Sequence, residues 1–209
     1  MQAELYTRIE EYITGLYGHV RAPTLAYHNL LHTQNVVKHT REIAGYYNVS
    51  ENEVLILFTA AWFHDTGYLF AEPQKHEEMS CFVMRKYMSD KLDNINIVNN
   101  IEECIMATKP PVNPRGLLQH IICDADAYHL GTRDFEENDK RALEEFFLKH
   151  LDTDPVQFNK DTIKMLVSHC FYTDYCKERL NEQKENNMII LQMKIIEAED
   201  KQRRLKNIN

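Results

Sequence analysis

The sequence predicts an all-α protein, and three observations lead there. Glycine and proline are scarce, with 6 of each in 209 residues, too few for the frequent turns of a sandwich or barrel. Strong helix formers, above all Leu, Glu, Lys, Gln and Met, are plentiful. Apolar residues recur at helical spacing in segment after segment. With 44% hydrophobic residues and no low-complexity tract, the chain is long enough for one sizeable core, so a single domain over 1–209 is expected.

The first helix is expected over residues 4–18, where Leu5, Ile9, Tyr12, Ile13, Leu16 and Tyr17 recur at helical spacing and Gly18 offers a stop. A linker containing Pro23 follows. A second helix runs from about Leu30 to Tyr47 on Leu31, Val36, Val37, Ile43 and Ala44, ending near Gly45–Asn48. Ser50-Glu51-Asn52-Glu53 then matches a capping box: the Ser50 hydroxyl can accept from the third helical amide while Glu53 reaches back. The third helix, "VLILFTAAWF", is apolar on every face, the mark of a helix surrounded by others, and it ends at His64-Asp65.

Helical patterns resume at about 75–90, 94–108 and 115–129, separated by "SDKLDN" and "KPPVNPRG", whose prolines prevent helix continuation. Further helices are expected near 135–151, 156–176 and 177–207, with Asp154-Pro155 supplying a cap and a first-turn proline. The last segment mixes charges with an apolar stripe, and either packs across its own domain or pairs in a coiled coil as a homodimer. The lack of a sustained heptad favours the former. There is no internal repeat.

A formal charge of −8 disfavours any function that wraps a nucleic-acid polymer, whereas one locally basic pocket would suffice for a small anion. No apolar stretch approaches the roughly 20 residues that span a bilayer, and "MQAELYTRIEEY" lacks the order of a signal peptide, so no membrane partner and a cytoplasmic location are expected. The five cysteines form no CxxC, are odd in number and lie mostly in apolar helical patterns, which reads as buried thiols.

The His64-Asp65 pair closes an almost wholly apolar run. An ionised carboxylate buried there needs a counter-charge, a set of donors or a metal ion. Two other apolar helices carry polar insertions: "YHNLLHTQNVVKH", with His28, His32 and His39, and "LLQHIICDADAYHLG", with His120, Asp124, Asp126 and His129. Steps of four and seven bring His28, His32 and His39 within about 40 degrees of one helical direction, so any of them could point inward. Asp124 and Asp126 lie about 200 degrees apart on a helix, and the apolar stripe does not choose between them.

A His, a distant His-Asp pair and a further Asp resemble the HD superfamily of metal-dependent phosphohydrolases, an all-α helical bundle. The likeness covers most of the chain and is most specific for a bacterial subgroup, in "YHNLLH", "AAWFHDTGY", the "EExS" of "HEEMSC", the "ATK" after a helix and "DADAYHLG". The resemblance implies His32, His64, Asp65 and Asp126 as ligands of one divalent ion (Mn, Fe, Co, Ni, Zn or Mg), with Asp126 preferred by matching Ala125-Asp126 to the family's "AD". Dinuclear relatives add histidines from the two following helices; here His76 is available on the first, but the second ends in "CIMATKP" without one. One tightly held ion is therefore expected, and a second, weaker one only if His76 or substrate oxygens contribute.

The implied activity is hydrolysis of a small phosphorylated metabolite or nucleotide. Glu77, matching the subgroup's acidic residue, is the candidate for orienting water or protonating the leaving oxygen, with Glu78 as the alternative. Lys109, Arg133 and Lys184 are candidates for meeting a substrate phosphate. Trp62, Phe63 and Tyr68 read chiefly as core, with Tyr68 or Tyr128 able to stack on a base. Two other readings stand beside the hydrolase: a non-catalytic metal-binding interaction module, and a di-iron oxygenase, against which the missing histidine argues.

Overall fold

The computed structural model describes residues 2–20, 22, 24–149 and 154–206; Pro23, the ends of the helices expected at 135–151 and 177–207, and the other remaining positions lie outside them. Among the described residues there are α-helices and short 3-10 turns and no strand. The chain divides into two compact units, Met1–Ala127 and Tyr128–Asn209. No helix of the described residues is long and apolar enough to cross a membrane.

The first unit contains α1 (Gln2–His19), α2 (Leu30–Tyr47), α3 (Glu51–Phe63), α4 (His76–Met88), α5 (Ile95–Ala107) and α6 (Gly116–Asp126). Every residue of α3 from Leu55 to Phe63 is buried, because α1, α2, α4, α5 and α6 all pack on it. Ile9, Ile13, Ile43, Met84, Met88, Ile101, Ile105, Ile121 and Ile122 close around this central helix. Each such side chain contributes about 1.5–3 kcal/mol by burial, so the position of α3, and of the His-Asp pair at its end, is strongly determined.

The helix ends are set by local chemistry. Both halves of the Ser50–Glu53 capping box form at the start of α3. Asn29 caps α2, its side-chain oxygen accepting from the amides of Leu31 at 3.0 Å and His32 at 3.2 Å. At the other end Asn48 takes a left-handed conformation with φ 49°. The helix expected to reach 129 stops at Asp126 and gives way to a 3-10 turn at Tyr128–Gly131.

The second unit holds that turn, α7 (Phe135–Lys149), α8 (Pro155–Ser168) and α9 (Asp174–Lys206). Two helices expected to meet at 176/177 are separated earlier, between Ser168 and Asp174. The Thr173 hydroxyl accepts from the Cys176 amide at 3.2 Å, an N-cap that starts α9 three residues before the expected point. Within this unit α9 packs on the 3-10 turn and on α8. Asn187 ties it to the turn by donating to the carbonyls of Leu130 and Thr132, both at 2.9 Å.

Candidate metal centre

His64 is the C-cap of α3, and Asp65 leaves the helix with φ −106° and ψ 1°. That turn lets two adjacent side chains aim at one point, which consecutive residues inside a helix cannot do. His32 reaches the same point from the first turn of α2, and Asp126 from the last residue of α6.

His32 Nε2 lies 3.1 Å from Asp126 Oδ1 and 3.3 Å from Asp65 Oδ2. His64 Nε2 lies 3.2 Å from Asp65 Oδ2, 3.6 Å from Asp126 Oδ1 and 3.4 Å from His32 Nε2. Donor atoms about 2.1 Å from a common ion stand about 3.0 Å apart at right angles and about 3.4 Å apart at tetrahedral angles, so these separations fit one divalent cation. Asp65 Oδ2 is moreover buried without a well-formed hydrogen bond, an orphaned acceptor of the kind a cation satisfies. The His64 Nδ1–H donates to the Ala61 carbonyl at 2.9 Å, which leaves Nε2 as the atom that exchanges a proton for a metal.

The electrostatics agree with the geometry. Burial alone would lower the pKa of His64, yet the charges and hydrogen bonds of Asp65 and Asp126 hold it well above its usual value. Burial would likewise raise Asp65, but the His64 charge and the close approach of the His32, His64 and His76 imidazoles hold it well below the carboxylate range. The two carboxylates thus call for positive charge at this point, which a divalent cation would supply with the imidazoles neutral. The His64 side chain is 0% and that of Asp65 6% exposed, whereas the Asp126 side chain is 33% exposed, so the cluster meets solvent on the Asp126 side.

The other sequence candidates fall in distinct places. His28 stacks on Tyr68 at 4.1 Å, His39 faces Glu42 at 3.2 Å, and His120, Asp124 and His129 are not in the cluster formed by His32, His64 and Asp126. His76 donates from Nδ1 to the Pro73 carbonyl at 2.6 Å and holds Nε2 3.5 Å from Asp65 Oδ1, the carboxylate oxygen on the far side of the pair. Glu77 is buried beside it, its Oε2 without a hydrogen bond, 3.3 Å from His76 Nδ1 and 3.9 Å from Lys109 Nζ. Lys109 binds the Glu78 carboxylate and lies 3.3 Å from the Gln74 carbonyl oxygen. Trp62 and Phe63 are core.

Tyr68 is not a platform for a base: His28 covers one face at 4.1 Å and His76 the other at 3.9 Å, each nearly parallel to it. Tyr128 is buried. Arg133 and Lys184 belong to the second unit; Arg133 is exposed, and buried Lys184 donates to the His169 carbonyl at 2.5 Å.

Two further residues hold the site together. The Gly67 amide donates to Ser80 Oγ at 2.8 Å, joining the segment after the His-Asp pair to α4. A Cβ on Gly67 would stand 1.9 Å from the His76 carbonyl oxygen, so only glycine permits this approach. The "EExS" pattern contained Ser80, but its partner was not visible from the sequence.

Comparison with models of protein families matches residues 29–131 to the HD domain. Residues 29–131 belong to the HD domain family. The matched segment opens on the Asn29 cap, closes on Gly131 and contains all four clustered side chains. HD domains typically bind divalent metals, and their superfamily is one of metal-dependent phosphohydrolases. No curated protein and no solved structure matches the chain.

Proposed function

We propose that this HD domain hydrolyses a phosphate ester or anhydride of a small metabolite or nucleotide. The observation that carries the reading is the convergence of His32 and His64 Nε2 with Asp65 Oδ2 and Asp126 Oδ1 at spacings of 3.1 to 3.6 Å. These four residues would hold one divalent ion. When bound, the ion lowers the pKa of water towards about 7 and polarises a phosphoryl oxygen.

The chain's own residues supply the rest. His64, locked by Ala61, and Asp65 fix the inner wall, while the partly exposed Asp126 leaves the side from which substrate enters. Glu77 sits in the first turn of α4, next to His76, with a carboxylate oxygen uncommitted to any hydrogen bond. It is the group that orients water or gives a proton to the leaving oxygen. Glu78, half exposed and paired with Lys109, neutralises that lysine until a phosphate competes for it.

The test is phosphate release from a panel of nucleotides and phosphomonoesters with Mn, Co, Ni or Mg. Metal-dependent turnover that is lost in Asp126→Ala, with helix content retained, supports the reading. Inactivity across the whole panel with metal bound would contradict it.

A further inference from the structure

The long helix of the second unit carries an apolar face that its own unit does not cover. Leu180, Asn187, Leu191 and Ile195 are buried against the unit, whereas Ile189 is 54%, Ile190 47%, Met193 58% and Ile196 59% exposed. At 100 degrees per residue these four fall within an arc of about 120 degrees centred on Met193. Isolated exposed apolar residues are ordinary, but four on one side of two helical turns form a patch of the kind that marks an interaction surface.

The charges flanking the patch say what covers it. On the N-terminal side Glu182 lies within about 20 degrees of the Met193 direction, and on the C-terminal side Arg204 does the same. Both are exposed, as are Glu185 and Lys201 on the rim. Glu182 and Arg204 are equally distant from Met193 along the chain, and so are Glu185 and Lys201, and Ile190 and Ile196. A two-fold axis through Met193 of two antiparallel helices therefore sets glutamate against arginine, glutamate against lysine and isoleucine against isoleucine, and sets Ile189 against the exposed Glu197, about 40 degrees from Met193. A parallel pair would set Glu182 against Glu182 and Asp200 against Asp200, which like charges oppose. Asp200 has an intrahelical partner in Arg203 at 3.4 Å, which leaves Arg204 to the face.

We propose that this face is the contact between two copies of the chain, crossing antiparallel at Met193. The contact runs about 33 Å along the helix at 1.5 Å per residue, but its apolar seam is only four side chains deep. The dimer is accordingly weak, with a dissociation constant on the order of 10 to 100 µM, and salt-sensitive through its rim charges.

Sedimentation of the full chain from about 1 to 300 µM tests it, in low salt and in about 0.5 M salt. A monomer–dimer equilibrium is expected. Met193→Glu should raise the dissociation constant at least about 10-fold with far-UV circular dichroism unchanged, since the site is exposed. Glu182→Arg and Arg204→Glu should each weaken the dimer about 3- to 10-fold, and the two together should restore it to within about 2-fold. A monomer at every concentration would overturn the proposal, as would a dimer indifferent to Met193→Glu. A double charge exchange no better than the single changes would overturn the antiparallel axis.

Discussion

His32 Nε2 and His64 Nε2 face each other at 3.4 Å, two imidazole nitrogens from helices 32 residues apart, with a carboxylate oxygen on either side. Two such nitrogens have little reason to meet in a hydrophobic interior on their own account. They are brought together by α2 packing on α3, and the price is offset by whatever positive charge the cluster holds.

The approach of Gly67 to His76 should be sensitive to one methyl group. Gly67→Ala would drive the start of α4 away from the His-Asp pair, lowering both the melting temperature and metal affinity. Ser80→Ala strands the buried Gly67 amide and should cost about 1–3 kcal/mol. Calorimetry should then show a fall of about 2–4 °C per kcal/mol for a chain of this size.

His76 positions Asp65 through Oδ1 while Oδ2 faces the cluster. His76→Ala should retain one ion per chain but weaken its binding by about 10- to 100-fold, the usual cost of losing an outer partner of a ligand. Isothermal titration with Mn(II) gives both stoichiometry and affinity. Unchanged affinity would show that Asp65 needs no such support.

Glu77→Gln keeps shape and removes the carboxylate. If Glu77 moves a proton, kcat should fall about 100- to 10,000-fold with metal content unchanged. Glu78→Gln, which touches an exposed carboxylate paired with Lys109, should change kcat far less. Equal effects at both positions would remove the distinction between them.

The second unit offers a pH test independent of the metal. Burial raises the Asp139 pKa above 3.8, against the Thr162 hydroxyl that donates to it at 3.3 Å. The folded state thus holds this proton more tightly than the unfolded chain. Its contribution is fully present below pH 3.8 and lost as pH rises through the folded value. Asp139→Asn keeps an acceptor for Thr162 and should raise the melting temperature at pH 7 by on the order of 1–4 °C. The gain should vanish near about pH 3, where the wild-type carboxyl is also neutral. Thermal scans at both pH values decide it.

Much of the fold was legible because its signals are local. The all-round apolar run of α3 and the Ser50–Glu53 box lie within a few residues of the features they determine. The break between α8 and α9 was harder to see: no glycine or proline marks 169–173, and the Thr173 cap competes with an apolar pattern that continues through Phe171 and Tyr175. At the site, helical spacing left Asp124 and Asp126 equivalent, and only the family pattern pointed to the one that meets His32. The Lys109–Glu78 pair joins residues 31 positions apart, and both faces of Tyr68 are covered by imidazoles from different segments. Such pairings exist only once the helices have packed, so no local pattern contains them.

Metal binding by the purified, chelator-treated chain bears most directly on whether these four side chains surround a cation. Titration with Mn(II), followed by calorimetry and by elemental analysis after gel filtration, should give one tightly held ion per chain. His32→Ala and Asp126→Ala should each weaken it by more than about 100-fold while the helical circular dichroism persists. A chain that binds no ion, or one whose binding is unchanged in both variants, would contradict the metal centre and the hydrolase built on it.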